Sequence, residues 1–232
     1  MRFGVRSEKG RVRSNNQDSY GHRARLFLVA DGMGGHRGGE VASRLAVEAI
    51  LAAADGHDPL AELRAGFGAA YRAILDHATA HPECEGMGTT VAAAILTDGR
   101  GYLAHIGDSR IYRFRGGKLE LLTRDHSLVE EMVRQGTLSA EEARSHPRRS
   151  ILTRVLGTAE APRVEYAEID LARGDIILLC TDGLTAELTE DEIQSILASG
   201  DDPAVDADRL VMMADEHGGS DNITVIVVEY GD

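Results

Sequence analysis

Runs of β-branched or alternating apolar residues, bounded by Gly, Asp or Asn, recur along the chain. Runs of this kind are typical of strands. They predict strands over seven segments: 25–31, 88–98, 101–115, 118–122, 163–170, 174–180 and 222–230. The pair Gly116-Gly117, between two of these runs, indicates a two-residue hairpin turn.

Helices are predicted mainly from the residues at their ends. Ser, Thr or Asp before the first turn, with Pro or Glu at the next positions, is typical of a helix start, and Gly or Pro marks an end. An amphipathic helix is predicted over 39–55. The other signals are Asp58-Pro59 with a stop at Pro82, the capping boxes Ser139/Glu142 and Thr189/Glu192, and Asp202-Pro203 with a stop at Gly218.

The order of these elements favours an α+β fold. Strands follow one another in hairpin-like succession and do not alternate strictly with helices, as they would in a doubly wound sheet. We therefore expect antiparallel sheets with paired helices packed outside them. No repeat or linker divides residues 1–232, so we expect a single domain, with a polar surface insert near 127–146.

Composition and charge narrow the function classes. The 232 residues are 43% apolar, which is ordinary for a packed core, and the net charge of -13 argues against non-specific nucleic-acid binding. No apolar run approaches the roughly 18 residues of a spanning helix, so no membrane role is expected. Cys84 and Cys180 form no CxxC motif and are too few for a disulfide framework, which favours a cytoplasmic location.

Five aspartates lie beside strand ends with Gly, Ser or Asn next to them: Asp18, Asp31, Asp108, Asp182 and Asp221. Strand ends are rigid supports, so carboxylates on different strands could converge on one point. Crowded carboxylates need cations, and oxygen ligands suit Mg²⁺ or Mn²⁺ better than Zn²⁺. The alternative is that each aspartate only caps a local turn, because Asp-Gly and Asp-Asn are common turn dipeptides.

Eight sequence blocks, five of which contain these aspartates, resemble the metal-dependent type 2C family of serine/threonine protein phosphatases in its compact bacterial form. The blocks are VRSNNQD, VADGMGGHRGGE, GMGTT, HIGDSRIYR, LTRDHSLVEEMVRQG, HPRRSILTRVLG, GDIILLCTDGL and GGSDNITVIVV. The resemblance implies a four-layer αββα sandwich, with helix pairs outside two antiparallel sheets. It also implies hydrolysis of phosphoserine and phosphothreonine in proteins, with a metal-bridging water as the nucleophile and two tight Mn²⁺ or Mg²⁺ ions as cofactors.

The resemblance assigns metal-binding roles to all five aspartates and to one backbone carbonyl. Two ions would share a bridging carboxylate, and a weaker third ion would share a ligand with the first. The ligands are Asp31 as the bridge, Asp182 and Asp221 at the first ion, Asp18 and the Gly32 carbonyl at the second, and Asp108 with Asp182 at the third. Glycines after the bridge would let the backbone approach an ion without a side chain in the way.

The resemblance also names candidates for direct catalysis. Arg13 matches the family's phosphate-contacting arginine, and a guanidinium fork suits phosphoryl oxygens. Many eukaryotic relatives have a histidine directly after the Asp-Gly pair, proposed to protonate the leaving alcohol, whereas this chain has Met33, which cannot donate a proton. His36 titrates in the right range and is a candidate substitute. The alternatives are that His36 is a solvated loop histidine and that a metal-bound water supplies the proton.

Other catalytic motifs are absent from the sequence. Neither cysteine is followed six positions later by arginine, and no DxDxT, GxSxG or GxxxxGK[ST] occurs. His77 and His81 are four residues apart on a predicted helix and could bind zinc, although a solvated helix face is the alternative. A non-catalytic phosphoprotein-binding module would require loss of the metal acids, and all five are present.

The expected partners are phosphorylated protein substrates, including bacterial Ser/Thr protein kinases and their targets. A serine-phosphorylated antagonist protein in a partner-switching pathway stays open as the substrate. The insert near 127–146 resembles the flap that borders the substrate groove of the family. We expect a monomer.

Overall fold

The computed structural model describes residues 1–34 and 38–231 and contains two antiparallel sheets. The first sheet consists of β1 (Arg2–Glu8), β7 (Arg110–Arg115), β8 (Lys118–Leu121), β10 (Ile176–Cys180) and β11 (Ile223–Glu229). Its strand order is β1-β11-β10-β7-β8. Strands from opposite ends of the chain are therefore neighbours, with Arg2 opposite Glu229 and Glu8 opposite Ile223.

The second sheet lies behind the first. It consists of β2 (Asp18–Arg23), β3 (Leu26–Met33), β5 (Val91–Thr97), β6 (Arg100–Ile106) and β9 (Glu165–Asp170), in the order β2-β3-β5-β6-β9. A two-residue strand, β4 (Gly88–Thr89), pairs with the end of β3. The hairpin β2–β3 places Asp18 opposite Asp31.

The structure describes seven α-helices. They are α1 (Gly38–Ala52), α2 (Pro59–Ala80), α3 (Leu128–Arg134), α4 (Ala140–Ser145), α5 (Asp182–Glu187), α6 (Glu190–Leu197) and α7 (Pro203–His217). Helices α1 and α2 pack on each other, and α1 contacts β2 and β3; α7 packs on β1 and β11 with α5 and α6 beside it. This layering confirms the predicted αββα sandwich.

The core has three apolar layers, because the central strands are buried on both faces. In β3, Phe27 and Val29 point between the sheets, whereas Leu28 points toward the α1–α2 layer. This split follows from the two-residue period of a strand. In β10, Leu179 faces the other sheet and Leu178 faces the layer under α7. The core thus fixes the ends of β3 and β10, where Asp31 and Asp182 lie.

Most predicted ends are confirmed. The turn Gly116-Gly117 joins β7 to β8 with positive φ at both glycines, Asp58 caps α2, and both capping boxes form. The predicted single strand 101–115 is wrong: Gly107, at φ +104°, separates β6 from β7. This break creates the turn that carries Asp108.

Strands β1 and β2 and helix α5 were not expected from the pattern. Only Gly4 in β1 and Gly21 in β2 are fully buried, so neither strand shows an apolar period of two. Both depend on pairing with β11 and β3, which are strongly apolar. In the described part of the chain, no helix combines the length and apolarity needed to cross a bilayer.

Candidate active site

Four of the five aspartates line one cavity of about 820 Å³ at the strand ends: Asp31, Asp108, Asp182 and Asp221. Arg13 and Gly32 line the same cavity. Asp18 lies behind the wall of the cavity, opposite Asp31 in the β2–β3 hairpin. The structure thus brings four of the aspartates, from separate segments, to one cavity and places the fifth behind its wall.

The carboxylate of Asp18 is held by two threonine hydroxyls. Thr181 donates to Asp18 Oδ2 at 2.9 Å and Thr224 donates to the same oxygen at 2.7 Å. The other oxygen, Asp18 Oδ1, is buried and has no hydrogen-bond partner. One oxygen is therefore fixed while the other is free to bind a ligand.

Asp31 and Gly32 end β3 next to two buried threonines. The Asp31 carbonyl accepts from Thr89 Oγ1 at 2.8 Å, and the Asp31 N–H donates to Thr90 Oγ1 at 3.1 Å. A Cβ added at Gly32 would lie 2.0 Å from the Gly39 carbonyl oxygen. Glycine is required here because the end of β3 and the start of α1 cross at backbone contact.

Asp182 and Asp221 come from the two ends of the C-terminal segment. Asp182 is the first residue of α5, directly after β10, and its Oδ1 is buried without a hydrogen-bond partner. Asp221 precedes β11 and accepts a hydrogen bond from Arg13 Nη2 at 2.5 Å. The predicted phosphate-binding arginine therefore pairs with a predicted metal ligand.

The electrostatics of the cluster are unfavourable for negative charge. Burial, with repulsion from Asp182 and Asp221, raises the pKa of Asp18 to about 7 against the two threonine hydrogen bonds. Burial and then Asp221 raise the pKa of Asp182 to about 6. Burial also holds the pKa values of Asp31 and Asp108 well above their ordinary range. Asp31, Asp108 and Asp182 line the cavity, so for these three the desolvation acts on carboxylates that a ligand can still reach.

The donor set fits hard divalent cations. In residues 1–34 and 38–231, no three His, Cys, Asp or Glu side chains form a group ready to hold an ion, and Arg13 and the threonines hold part of the carboxylate surface. Two buried carboxylate oxygens nevertheless have no partner, and the surrounding acids repel one another. Oxygen donors in this state suit Mn²⁺ or Mg²⁺.

The two remaining catalytic candidates have different positions. Met33 lines the cavity and pairs with Gly88 across β3 and β4. His36 lies outside the described residues.

Asn222 supports the site through hydrogen bonds and was not predicted as a functional residue from the sequence. Asn222 is 5% exposed; its Nδ2 donates to the Lys9 and Asn15 carbonyls at 2.9 Å each, and its Oδ1 accepts from the Gln17 N–H at 2.9 Å. It thereby ties the loop that carries Arg13 to the start of β11. Its position directly after Asp221 was the only signal in the sequence.

The two cysteines and the pair His77 and His81 lie outside the cavity lining. Cys84 and Cys180 are buried free thiols, and burial raises the pKa of Cys180 to about 12. His77 and His81 stack with ring centroids 4.1 Å apart, and His81 Nδ1 lies 3.1 Å from the His77 carbonyl. Stacked rings do not converge on one ion, which favours the alternative of a helix face.

The chain belongs to the protein phosphatase 2C family, whose model matches residues 8–209. It is 42% identical over 236 residues to the serine/threonine protein phosphatase PstP of Mycobacterium tuberculosis, covering 100% of this chain and 45% of that protein. It is 38% identical to the serine/threonine phosphatase stp of Listeria welshimeri, covering 99% of this chain and 96% of that one. The chain thus spans about half the length of the mycobacterial relative.

A solved structure supports the same assignment. The catalytic domain of PstP in complex with two manganese ions superimposes with a TM-score of 0.92 at 38% identity, covering 100% of this chain and 98% of that one. The predictions of family and fold are confirmed by these likenesses.

Proposed function

We propose that this chain is a metal-dependent protein phosphatase that hydrolyses phosphoserine and phosphothreonine. The observation that carries the proposal is the cavity in which aspartates with raised pKa values face a guanidinium. The names of the relatives support the same reaction, and the solved PstP complex supports manganese as a cofactor.

The cations would be held by the aspartate oxygens. We infer that Asp31 is shared by two ions, with Asp182 and Asp221 at one and with Asp18 and the Gly32 carbonyl at the other; Asp108 and Asp182 would hold a weaker third. When bound, such cations neutralise phosphoryl charge and lower the pKa of water. The protein positions the Asp18 carboxylate through Thr181 and Thr224.

Arg13 would orient the phosphoryl group. Its side chain is about half exposed, so it can exchange the Asp221 carboxylate for substrate oxygens when a cation holds Asp221. Arg13→Ala should therefore raise KM more than it lowers kcat. Unchanged kcat and KM would show that Arg13 makes no contact with phosphate.

The leaving alcohol requires a proton. The thioether of Met33 cannot supply one, so His36 remains our candidate donor, with water as the alternative.

The test is hydrolysis of para-nitrophenyl phosphate and of paired phosphoserine and phosphothreonine peptides. Excess chelator should abolish turnover, and added Mn²⁺ or Mg²⁺ should restore it. An otherwise identical phosphotyrosine peptide serves as the control for residue preference. Full activity in chelator would contradict the metal-dependent reaction.

The biological setting follows from the substrate class. We propose that bacterial Ser/Thr kinases and their targets are the phosphoprotein partners, and that the protein acts as a monomer in the cytoplasm. The two free cysteines are consistent with a reducing compartment. A phosphorylated antagonist of a partner-switching pathway is the alternative substrate, and turnover on purified phosphoproteins of each kind would separate the two.

A further inference from the structure

The turn that carries Asp108 is held from two sides by neighbouring segments. Arg110, two residues further on, forms a two-pronged ion pair with Asp125, at 2.9 and 2.7 Å. Ser109 Oγ lies 2.6 Å from Thr90 Oγ1, inside the sandwich. These contacts fix the residues that follow Asp108.

His126 fixes the residue that precedes Asp108. Its backbone N–H donates to the Gly107 carbonyl at 2.8 Å, and its ring Nδ1 accepts from the Gly107 N–H at 3.1 Å. Gly107 has little freedom, because a Cβ there would lie 2.5 Å from the Thr90 side chain. Gly107 is therefore held by two hydrogen bonds to His126 on one side and by close packing against Thr90 on the other.

The hydrogen bonds of the imidazole assign its proton. Because Nδ1 accepts from Gly107, the proton of the neutral ring lies on Nε2. Nε2 is 3.1 Å from Glu165 Oε1, to which it donates; Arg154 Nη1 lies 3.2 Å from Nε2 and donates to the same carboxylate oxygen at 3.0 Å. With 4% exposure, His126 is shielded from water and keeps this orientation.

The same residue joins the two ends of the insert. The His126 carbonyl accepts from the Thr153 N–H at 2.8 Å, and Leu128 N–H donates to the Ile151 carbonyl at 2.8 Å. Ser127 begins α3 as its N-cap. The base of the insert and the Asp108 turn therefore meet at His126.

We propose that His126 is a positioning residue for Asp108: its Nδ1 holds Gly107 so that the carboxylate faces the cation site. His126 lies outside the lining of the cavity, and the inference rests on the proposed function in giving Asp108 an ion to hold. Groups that orient a ligand from behind typically affect metal affinity by about 10- to 100-fold.

The test compares His126→Asn with His126→Leu. Asparagine can place an acceptor oxygen near the position of Nδ1, whereas leucine has a similar shape and no acceptor. Mn²⁺ binding is followed by electron paramagnetic resonance, alongside the Mn²⁺ concentration for half-maximal turnover on a phosphopeptide. We expect His126→Leu to keep the tight ions and to weaken the remaining site by about 10- to 100-fold, and His126→Asn to restore most of the loss.

Two controls separate positioning from general destabilisation. Ile50→Val, a core truncation in the α1–α2 layer, lowers stability without touching the Asp108 turn and should leave Mn²⁺ binding unchanged. In the Asp108→Ala background, His126→Leu should have no further effect on the weak site, because the carboxylate it orients is absent. If His126→Leu fails to fold, His126→Gln takes its place, since its amide reaches the Nε2 position and leaves Gly107 without an acceptor.

The outcomes distinguish this inference from the proposed function. Equal Mn²⁺ affinity in His126→Leu and His126→Asn would overturn the positioning role. So would losses of Mn²⁺ affinity that add up when His126→Leu is combined with Asp108→Ala. A wild-type protein that turns over fully in chelator would instead overturn the proposed function.

Discussion

Strand β7 has aspartates at both ends, and the two groups have opposite electrostatics. At its C-terminal end, Arg115 pairs with Asp170 and, through two nitrogens, with Asp175. Hydrogen bonding and charge from Arg115 lower the pKa of Asp170. At its N-terminal end, burial and the Asp182 charge raise the pKa of Asp108. The same residue type thus stabilises the fold where arginine pairs with it and is available for ligands where other carboxylates surround it.

The largest expected loss of turnover comes from replacing aspartates that other carboxylates surround. Asp31→Asn and Asp182→Asn should each lower turnover by several orders of magnitude, since both are shared among the proposed ions. Neither should lower the melting temperature in chelator, because each removes repulsion from a buried cluster. Steady-state kinetics and thermal melting provide the two readouts, and an active Asp31→Asn protein would contradict the assignment.

Asp108→Ala should have a smaller effect. The four other aspartates are untouched, so the tight ions should remain bound while phosphopeptide turnover falls by about 10- to 100-fold. Aryl phosphates should be affected less, because their leaving group is better. A Mn²⁺ titration of the rate and a melting curve test this. Normal turnover with reduced stability would make Asp108 a turn residue, in the same category as Asp170.

The pH dependence of metal-free stability should distinguish the clusters further. The folded pKa of Asp18, about 7, lies above its unfolded value near 3.8, so its stabilising contribution is full below about pH 4 and is lost as the pH rises to about 7. The melting temperature of metal-free Asp18→Asn, measured relative to that of metal-free wild type, should therefore be about 5 °C higher at pH 8 than at pH 4. If the melting temperatures of Asp18→Asn and wild type instead change with pH in parallel, Asp18 does not belong to the repulsive cluster.

The smallest effect on catalysis is expected at the paired end of β7. Asp175→Asn should leave turnover within about twofold of wild type, while costing about 2 kcal/mol of stability through weakened hydrogen bonds to Arg115 and the Ala172 N–H. Urea unfolding and steady-state kinetics measure the two quantities. A large loss of activity without a loss of stability would contradict the separation of the two ends.

The sequence predicted the elements whose signals are local. The apolar runs of β3 and β11 and the capping boxes at Ser139 and Thr189 depend on neighbouring residues, and each is confirmed. Convergence of the aspartates was one of two alternatives left open by the sequence, because strand ends are rigid supports but Asp-Gly and Asp-Asn pairs also form turns. The family resemblance supplied their proposed individual roles, which spacing does not contain.

The missed features depend on contacts between distant residues. Thr181 is the N-cap of α5, yet it makes no side-chain cap bond, because its hydroxyl donates to Asp18, 163 residues away. The pairing of Arg13 with Asp221 likewise spans 208 residues. The strand β1 forms against β11 although Gly4 is its one buried residue. No local pattern in the sequence indicates such partners.

The pairing of β1 with β11 also has a consequence for synthesis of the protein. Asp18 receives one hydrogen bond from Thr224 in β11, and Asp221 lies just before that strand. A ribosome-bound chain that ends after α7 contains the early aspartates but neither of these groups. Long-range contacts of this kind form late in folding. Under the proposed function, turnover would therefore begin only after β11 has emerged from the ribosome and inserted between β1 and β10.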